Sequence, residues 1–300
     1  MKALTPNAAL GFPTNPFLGG TLRSFKGRTQ ARGAKNILNF TRSGDSGVIR
    51  TATTQDAERV IELIKKIQLG KIGLIKDIAT GENRIESGGF SNHGGFFDKN
   101  FPKQAQNAIT DEENIPILAE VLGTRKNELV GFMWANTKKK FPLGSAIEKI
   151  PEDATADKKS YIIAALQDNF RSNIVTIEAI AIAKKFQRHG YGRLLYLAML
   201  QELQERGFTI ATLEIYNIFS FIRGEIEERC QLPNSASIGL HESFGAMRIG
   251  SVGVFAKELS SGGICEITSK LYALDIEEGI ERIKGSLGKD SPFLLYPRVV

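Results

Sequence analysis

The chain has 300 residues, 42% of them hydrophobic and 24% charged, with a formal net charge of +6; this length allows one large domain or two small ones and supports at least one full core. The longest apolar runs, Tyr161 to Leu166 and Ala179 to Ala183, fall far short of the roughly 18 residues of a membrane span, which excludes a helical transmembrane protein. Two cysteines, Cys230 and Cys265, make no disulfide framework and point to a reducing compartment such as the cytoplasm, and three separated histidines (His93, His189, His241) give no metal-ligand spacing.

The charge is concentrated at one end. Residues 1–47 hold seven bases (Lys2, Arg23, Lys26, Arg28, Arg32, Lys35, Arg42) against one acid, Asp45, which accounts for the whole excess and leaves the remainder neutral. This stretch is rich in Gly, Pro, Thr and Asn, lacks helical periodicity, and is too weakly apolar to fold alone, so it reads as a disordered basic tail. It has no apolar h-region of a secretory signal. It serves as a solvated extension, a delivery signal, or an arm for an anionic surface.

Order is expected from Val48. Val48 to Arg50 reads as a strand, Thr53 to Asp56 offers helix-capping side chains, and Val60, Ile61, Leu63, Ile64 and Ile67 follow at helical spacing. Residues 79–104 interleave five glycines with Phe90, Phe96, Phe97 and Phe101, a pattern for a loop that covers something. Ile117 to Leu122 and Leu129 to Trp134 read as a hairpin. Residues 138–172 form an insertion with a basic triplet, Lys138 to Lys140, and a helix from about Asp157 to Phe170.

Ile174 to Ala183 is apolar on both faces, as in a central strand covered on both sides; simple alternation puts Ile174, Thr176, Glu178, Ile180 and Ile182 together. A helix from Tyr191 to Arg206 stops at Gly207. Phe208 to Ile215 is a strand, 217–232 an extra segment, and Ser235 to Phe244 a helix. Strands near Ala246 to Phe255 and Ile264 to Leu274 precede a short charged helix, Glu277 to Leu287.

The junction between the central strand and the long helix reads Gln187-Arg188-His189-Gly190-Tyr191-Gly192-Arg193. Two glycines at a strand-to-helix turn let successive backbone N–H groups converge at a helix N-terminus, whose partial positive charge favours phosphate. No GxxxxGK[ST] loop occurs, and Leu195 stands where a GxGxxG pattern needs its third glycine.

Gln187 to Gly192 fits [QR]-x-x-G-x-[GA] at every fixed position, and Asn234 to Ala246 fits N-x-x-[SA]-[IL]-x-L-[YH]-E-x-x-G-[FA], about 45 residues downstream. On these two motifs the chain resembles the GNAT N-acetyltransferases over about 48–275. The resemblance implies an α/β (α+β) fold, a mixed, mostly antiparallel central sheet flanked by helices, with insertions at about 75–112, 138–172 and 217–232. Residues 1–47 and the helix and tail of 276–300 lie outside it. It also implies acetyl-CoA as acyl donor, its pantetheine along Ile180, Ala181 and Ile182 and its pyrophosphate held by backbone from Gln187 through Arg188, His189, Gly190, Tyr191 and Gly192 to Arg193. Asn234 and Ser237 would flank the cofactor.

The implied chemistry is direct transfer of an acetyl group to a primary amine in a ternary complex, without a metal. Glu178, an acid on the central strand, would relieve the amine of its proton. His241 falls where many members carry a tyrosine that protonates the thiolate. The acceptor is a small molecule or a protein rather than RNA, because the folded part is neutral and phosphate contacts need clustered bases. The competing reading is a non-catalytic acyl-CoA-binding or interaction module. Neither the oligomeric state nor the choice between acetyl and longer acyl donors is legible.

Overall fold

The computed structural model describes residues 33–68, 73–76, 83–86, 101–123, 127–138, 166, 173–223, 226–232, 235–258, 264–287 and 292–296. The chain enters through a hairpin of β1 (Asn36–Arg42) and β2 (Asp45–Thr51). Its two-residue turn, Ser43-Gly44, has positive φ at both positions, 50° and 92°, the twist that matches a tight antiparallel pair. Leu38 and Phe40 alternate inward on β1. The expected tail boundary at residue 47 is therefore corrected: period-two apolar residues next to a turn dipeptide make residues 36–47 part of the sheet. Residues 1–32 lie outside the described residues.

Helix α1 (Ala57–Gln68) follows a 3-10 turn whose Thr53 and Asp56 form a capping box. It buries Val60, Leu63, Ile64 and Ile67, one stripe at helical spacing. Among the described residues, strands β3 (Gly73–Lys76) and β4 (Asn83–Glu86) pair only with each other. Helix α2 (Phe101–Thr110) buries Ala105, Ala108 and Ile109, and then comes the expected hairpin, β5 (Asn114–Val121) and β6 (Glu128–Asn136). Most of the Gly/Phe loop and of the 138–172 insertion lies outside the described residues; Lys138 is ion-paired with Glu113, and Leu166 is helical and buried.

The central strand is β7 (Ile174–Ile182), followed by α3 (Tyr191–Glu205) and β8 (Ile210–Arg223). The segment read as extra, 217–232, extends the sheet: β8 turns back into β9 (Ile226–Leu232). Helix α4 (Ser235–Ser243), β10 (Met247–Glu258), β11 (Ile264–Asp275), α5 (Ile276–Ser286) and β12 (Phe293–Tyr296) complete the fold. One ten-stranded sheet runs β10-β11-β8-β7-β6-β5-β2-β1-β12, with β9 beside β8. Only β7 and β8 are parallel; every other pair in it is antiparallel.

Helices α3 and α5 cover one face, with a core of Leu194, Leu195, Leu200, Ile280 and Ile283, and α1 and α2 cover the other. The C-terminal boundary at 275 is thereby also corrected. Ile276, Ile280 and Ile283 sit in the main core, and β12 pairs with β1, because a helix with an apolar stripe and a strand without a partner both gain by burial against the existing sheet. No helix among the described residues is long and apolar enough to cross a membrane.

An ion-pair network fastens α1 to the sheet. Arg50 bonds Asp56 through both terminal nitrogens at 2.8 Å and Glu120 through Nε at 2.8 Å, and Arg59 reaches Glu120 at 2.7 Å. Both carboxylates are buried, so losing the shared cation leaves two buried charges short of a partner. Arg50→Met is expected to cost about 3 kcal/mol in urea unfolding. Burial raises the Asp56 pKa, but the Arg50 and Thr53 hydrogen bonds outweigh it and hold the carboxyl below its ordinary 3.8. A depressed carboxylate stabilises the fold above its unfolded pKa and ceases to do so as pH falls through its folded value. The stability advantage of the wild type over Asp56→Asn should thus be constant above about pH 5 and shrink below about pH 4.

Candidate acyl-donor site

The site begins with an interruption in β7. Trp134 pairs with Ala179 and Ala135 with Ile177, so Glu178 has no residue opposite it on β6 and forms a bulge. The extra residue reverses the alternation. Val175 and Ile177 lie in the core under α3, and Ile180 and Ile182 pack against that same core, whereas Ala179 and Ala181 belong to the core under α1 and α2. The unbroken alternation expected from the sequence is corrected, since a single inserted residue moves every later side chain to the opposite face.

The bulge coincides with a parting of strands. β7 pairs with β8 only from Ile174 to Ile177, against Ile210 to Leu213. Beyond that, β8 continues beside β9 from Ile218, while β7 stays paired with β6 through Ile180, Ala181 and Ile182. The β8-facing edge of Ala179 to Ile182 consequently has no strand partner among the described residues. It is a short row of backbone donors and acceptors open to an extended ligand. Thr176 and Thr212 close the paired end, their hydroxyls 3.0 Å apart.

The same strand leads into the glycine turn. Gln187 donates from Nε2 to the Ile182 carbonyl at 2.9 Å, tying the turn to the strand end. Arg188 and Gly190 have positive φ, 61° and 85°, and Gly190 caps α3 without a side-chain hydrogen bond. The first turn of α3 contains no acid, whereas α5 opens with an Asp275 cap plus Glu277 and Glu278. Helix α3 thus presents unneutralised N–H groups and dipole. Arg188 and His189 are exposed and Arg193 half-buried, and neither arginine has an ion pair among the described residues, which suits a polyanion.

The glycines differ in what they require. A Cβ on Gly190 would stand 2.8 Å from the Phe293 ring; one on Gly192 would meet nothing nearer than 3.9 Å, from Ile182 and Leu240. No atom of the described residues comes closer than 3.9 Å to the place of the Gly192 side chain. Backbone amides, an open cradle and unpaired basic residues together fit a pyrophosphate. Tyr191 differs from expectation: its ring is 3% exposed, edge-on to Phe40, Phe186 and Phe293 at 5.8, 5.3 and 5.2 Å, so only its backbone is available to a ligand.

Leu240 brings α4 beside this turn. Ser237 is half-buried on α4, and Asn234 lies outside the described residues. His241 turns inward. It is 5% exposed, and its Nδ1 lies 3.0 Å from the hydroxyl of Tyr196, itself fully buried on α3. Burial lowers its pKa from 6.5 to about 3 and raises that of Tyr196, so the imidazole is neutral at pH 7. The unfolded chain takes up a proton below 6.5 and the folded one does not. Stability contributed by this neutral histidine is therefore lost as pH falls from about 6.5 towards 3. Relative to His241→Phe, the wild type should lose about 1.4 kcal/mol per pH unit within that window, read by urea unfolding.

Sequence reasoning did not find the bulge, the inward turn of His241, or Phe293 at the glycine turn. The alternation of β7 carried no mark of the bulge. Among the described residues no group of three His, Cys, Asp or Glu side chains could hold a metal ion.

Residues 92–220 match the model of the acetyltransferase (GNAT) family. No curated protein matches the chain in sequence. Among solved structures, a protein from Desulfovibrio desulfuricans described as a GNAT-family acetyltransferase is 13% identical, over 77% of this chain and 99% of that one, with a TM-score of 0.43. The ribosomal-protein-S18-alanine N-acetyltransferase of Escherichia coli is 16% identical over 77% and 94%, with a TM-score of 0.39. The same identity, coverages and TM-score hold for a Salmonella typhimurium protein solved with its cofactor acetyl-CoA.

Proposed function

We propose that the chain, whose residues 92–220 match the acetyltransferase (GNAT) family, is an N-acetyltransferase of that superfamily that moves the acetyl group of acetyl-CoA directly to a primary amine of a small molecule or protein. The observation that carries this reading is the continuity of the open β7 edge with the acid-free N-terminus of α3. An extended pantetheine pairs with the edge at Ile180, Ala181 and Ile182, and its pyrophosphate meets the amides from Arg188 to Arg193. Gln187 holds the turn. Ser237 and Asn234 act from the α4 side.

A strand N–H beside Glu178 polarises the thioester carbonyl, and a neutral amine attacks it. The N–C bond forms as the C–S bond breaks, and the amine proton passes to Glu178 directly or through water. The bulge favours this role, because it sets the Glu178 side chain at the point where the strands part. The departing thiolate is that of an alkyl thiol, protonated at pH 7, and accepts a proton readily from water. His241, buried and neutral, is assigned to holding α4 against Tyr196 rather than to proton donation. The amine acceptor lies over the face carrying α1 and α2. The proposed location is the cytoplasm, with the basic N-terminal segment as a delivery signal.

Thermal unfolding with and without acetyl-CoA tests the donor. At a hundred times its Kd, the ligand should stabilise the protein by about 2.7 kcal/mol, a rise of a few degrees. Release of free thiol on adding amines or proteins then identifies the acceptor class. No shift for the folded protein overturns the reading, and binding without thiol release from any amine favours the non-catalytic module.

A further inference from the structure

The glycine turn is held from a direction that lies outside the family-matched segment. Among the described residues, strand β12 is the edge of the sheet and pairs only with β1, Phe293 standing opposite Arg42. The Phe293 side chain is 4% exposed. Its ring meets those of Tyr191 at 5.2 Å and Phe40 at 6.0 Å, both edge-on, and it occupies the volume a Gly190 side chain would need. The Arg42 guanidinium caps the cluster, 5.4 Å from the Tyr191 centroid and 5.3 Å from that of Phe293.

We propose that Phe293 is a positioning residue for the acyl-donor turn, which makes the C-terminal strand Phe293–Tyr296 a working part of the site; this rests on the acyl-donor reading of that turn. The reason is conformational. Arg188, which is not glycine, sits at a φ of 61° and Gly190 at 85°, an arrangement that persists only where its surroundings over-determine it. Gln187 fixes the turn on the β7 side through Ile182. On the other side the packed neighbour is Phe293, which wedges between Gly190, Tyr191 and the β1 hairpin. With that wedge removed, the turn samples arrangements whose N–H groups no longer converge, and apparent affinity falls by the fraction of time the competent arrangement is held.

The effect belongs to donor affinity and not to the chemical step, because the thioester end lies along β7, away from the turn. If the competent arrangement drops to about a tenth of the population, Phe293→Ala raises the Kd and KM for acetyl-CoA about tenfold, with kcat at saturation within about twofold. Phe293→Leu, which refills part of the volume, should recover part of the loss. The backbone amides of Arg193 and Leu194, both bonded to the Gly190 carbonyl, should exchange hydrogen faster in Phe293→Ala than in wild type. Ile67→Ala, in the core on the other face of the sheet, serves as a control for general destabilisation and should leave the donor KM unchanged.

The measurements are acetyl-CoA titration, steady-state kinetics and amide exchange on the full chain. A raised KM with kept kcat, together with faster exchange confined to the turn, bears the proposal out. An unchanged Kd and unchanged turn exchange in folded Phe293→Ala overturn it, and if that variant does not fold, the same unchanged values in Phe293→Leu do so. A wild-type protein that does not bind acetyl-CoA would instead remove the acyl-donor reading, while the exchange comparison would still report whether Phe293 orders the turn.

Discussion

Gly190→Val should abolish acetyl-CoA binding while leaving the protein folded. Two independent features demand glycine here. Its φ of 85° lies in the left-handed region, where an ordinary side chain costs roughly 1–2 kcal/mol and a β-branched one more. Its missing Cβ would also lie 2.8 Å from the Phe293 ring, a contact that neither the ring, packed against Tyr191 and Phe40, nor the helix backbone can relieve without moving the turn. The least costly response is for the turn to swing away from Phe293, which disperses the N–H groups of residues 188–193. Loss of that cradle and of its alignment with the helix dipole should raise Kd by about a hundredfold or more, equivalent to some 2.7 kcal/mol. Titration calorimetry, with circular dichroism to confirm the fold, reads the result. Gly192→Ala supplies the contrast: the protein leaves room for its methyl group, so its Tm should stay within a degree or two while affinity falls, because that space belongs to the ligand. Wild-type affinity in both variants would remove the turn from the site.

The parts of this fold that the sequence announces are those in which local chemistry and tertiary packing agree. The stripe Val60, Leu63, Ile64 and Ile67, the Gly207 stop of α3 and the two-glycine turn all occur where they were expected, each decided by residues within a turn or two of chain. What escaped is decided at a distance. Asn36–Arg42 carries only Ile37, Leu38 and Phe40 as apolar residues among polar ones, and its neighbours toward the N-terminus are glycines and bases, so composition averaged over 47 residues hid a strand whose partners are β2 and a C-terminal strand more than 250 residues away. Phe293-Leu294-Leu295-Tyr296 reads as a strand only once β1 exists to receive it.

The site divides in the same way. The turn from Gln187 through Arg193 is legible because its conformation is encoded in glycine spacing. The face that Glu178 and Ile180 present is not, because a bulge is defined by the register of a neighbouring strand. His241 illustrates the limit of matching residue types: the motif places it on α4, but Tyr196, 45 residues earlier on α3, determines that it faces inward and stays neutral.

Glu178→Gln should lower kcat/KM for the amine by a factor of about 100 or more, the usual contribution of a positioned general base. The substitution is isosteric, and the bulge is formed by backbone register between β6 and β7, so the strand edge proposed for the pantetheine is retained. Acetyl-CoA affinity should therefore stay within about twofold of wild type, separating this variant from Gly190→Val, which loses binding first. An amine is mostly protonated at neutral pH and reacts only as the free base; with the carboxylate gone, the rate should come to depend on the deprotonated fraction in solution and rise steeply towards alkaline pH, where the deficit narrows. Glu178→Asp tests the geometry, since it keeps the charge but withdraws it by one methylene from the parting of β7 and β8, and it should recover only part of the loss. An unchanged rate and pH profile in Glu178→Gln would remove the carboxylate from proton transfer and leave the bulge with one task, opening the edge of β7 to the donor.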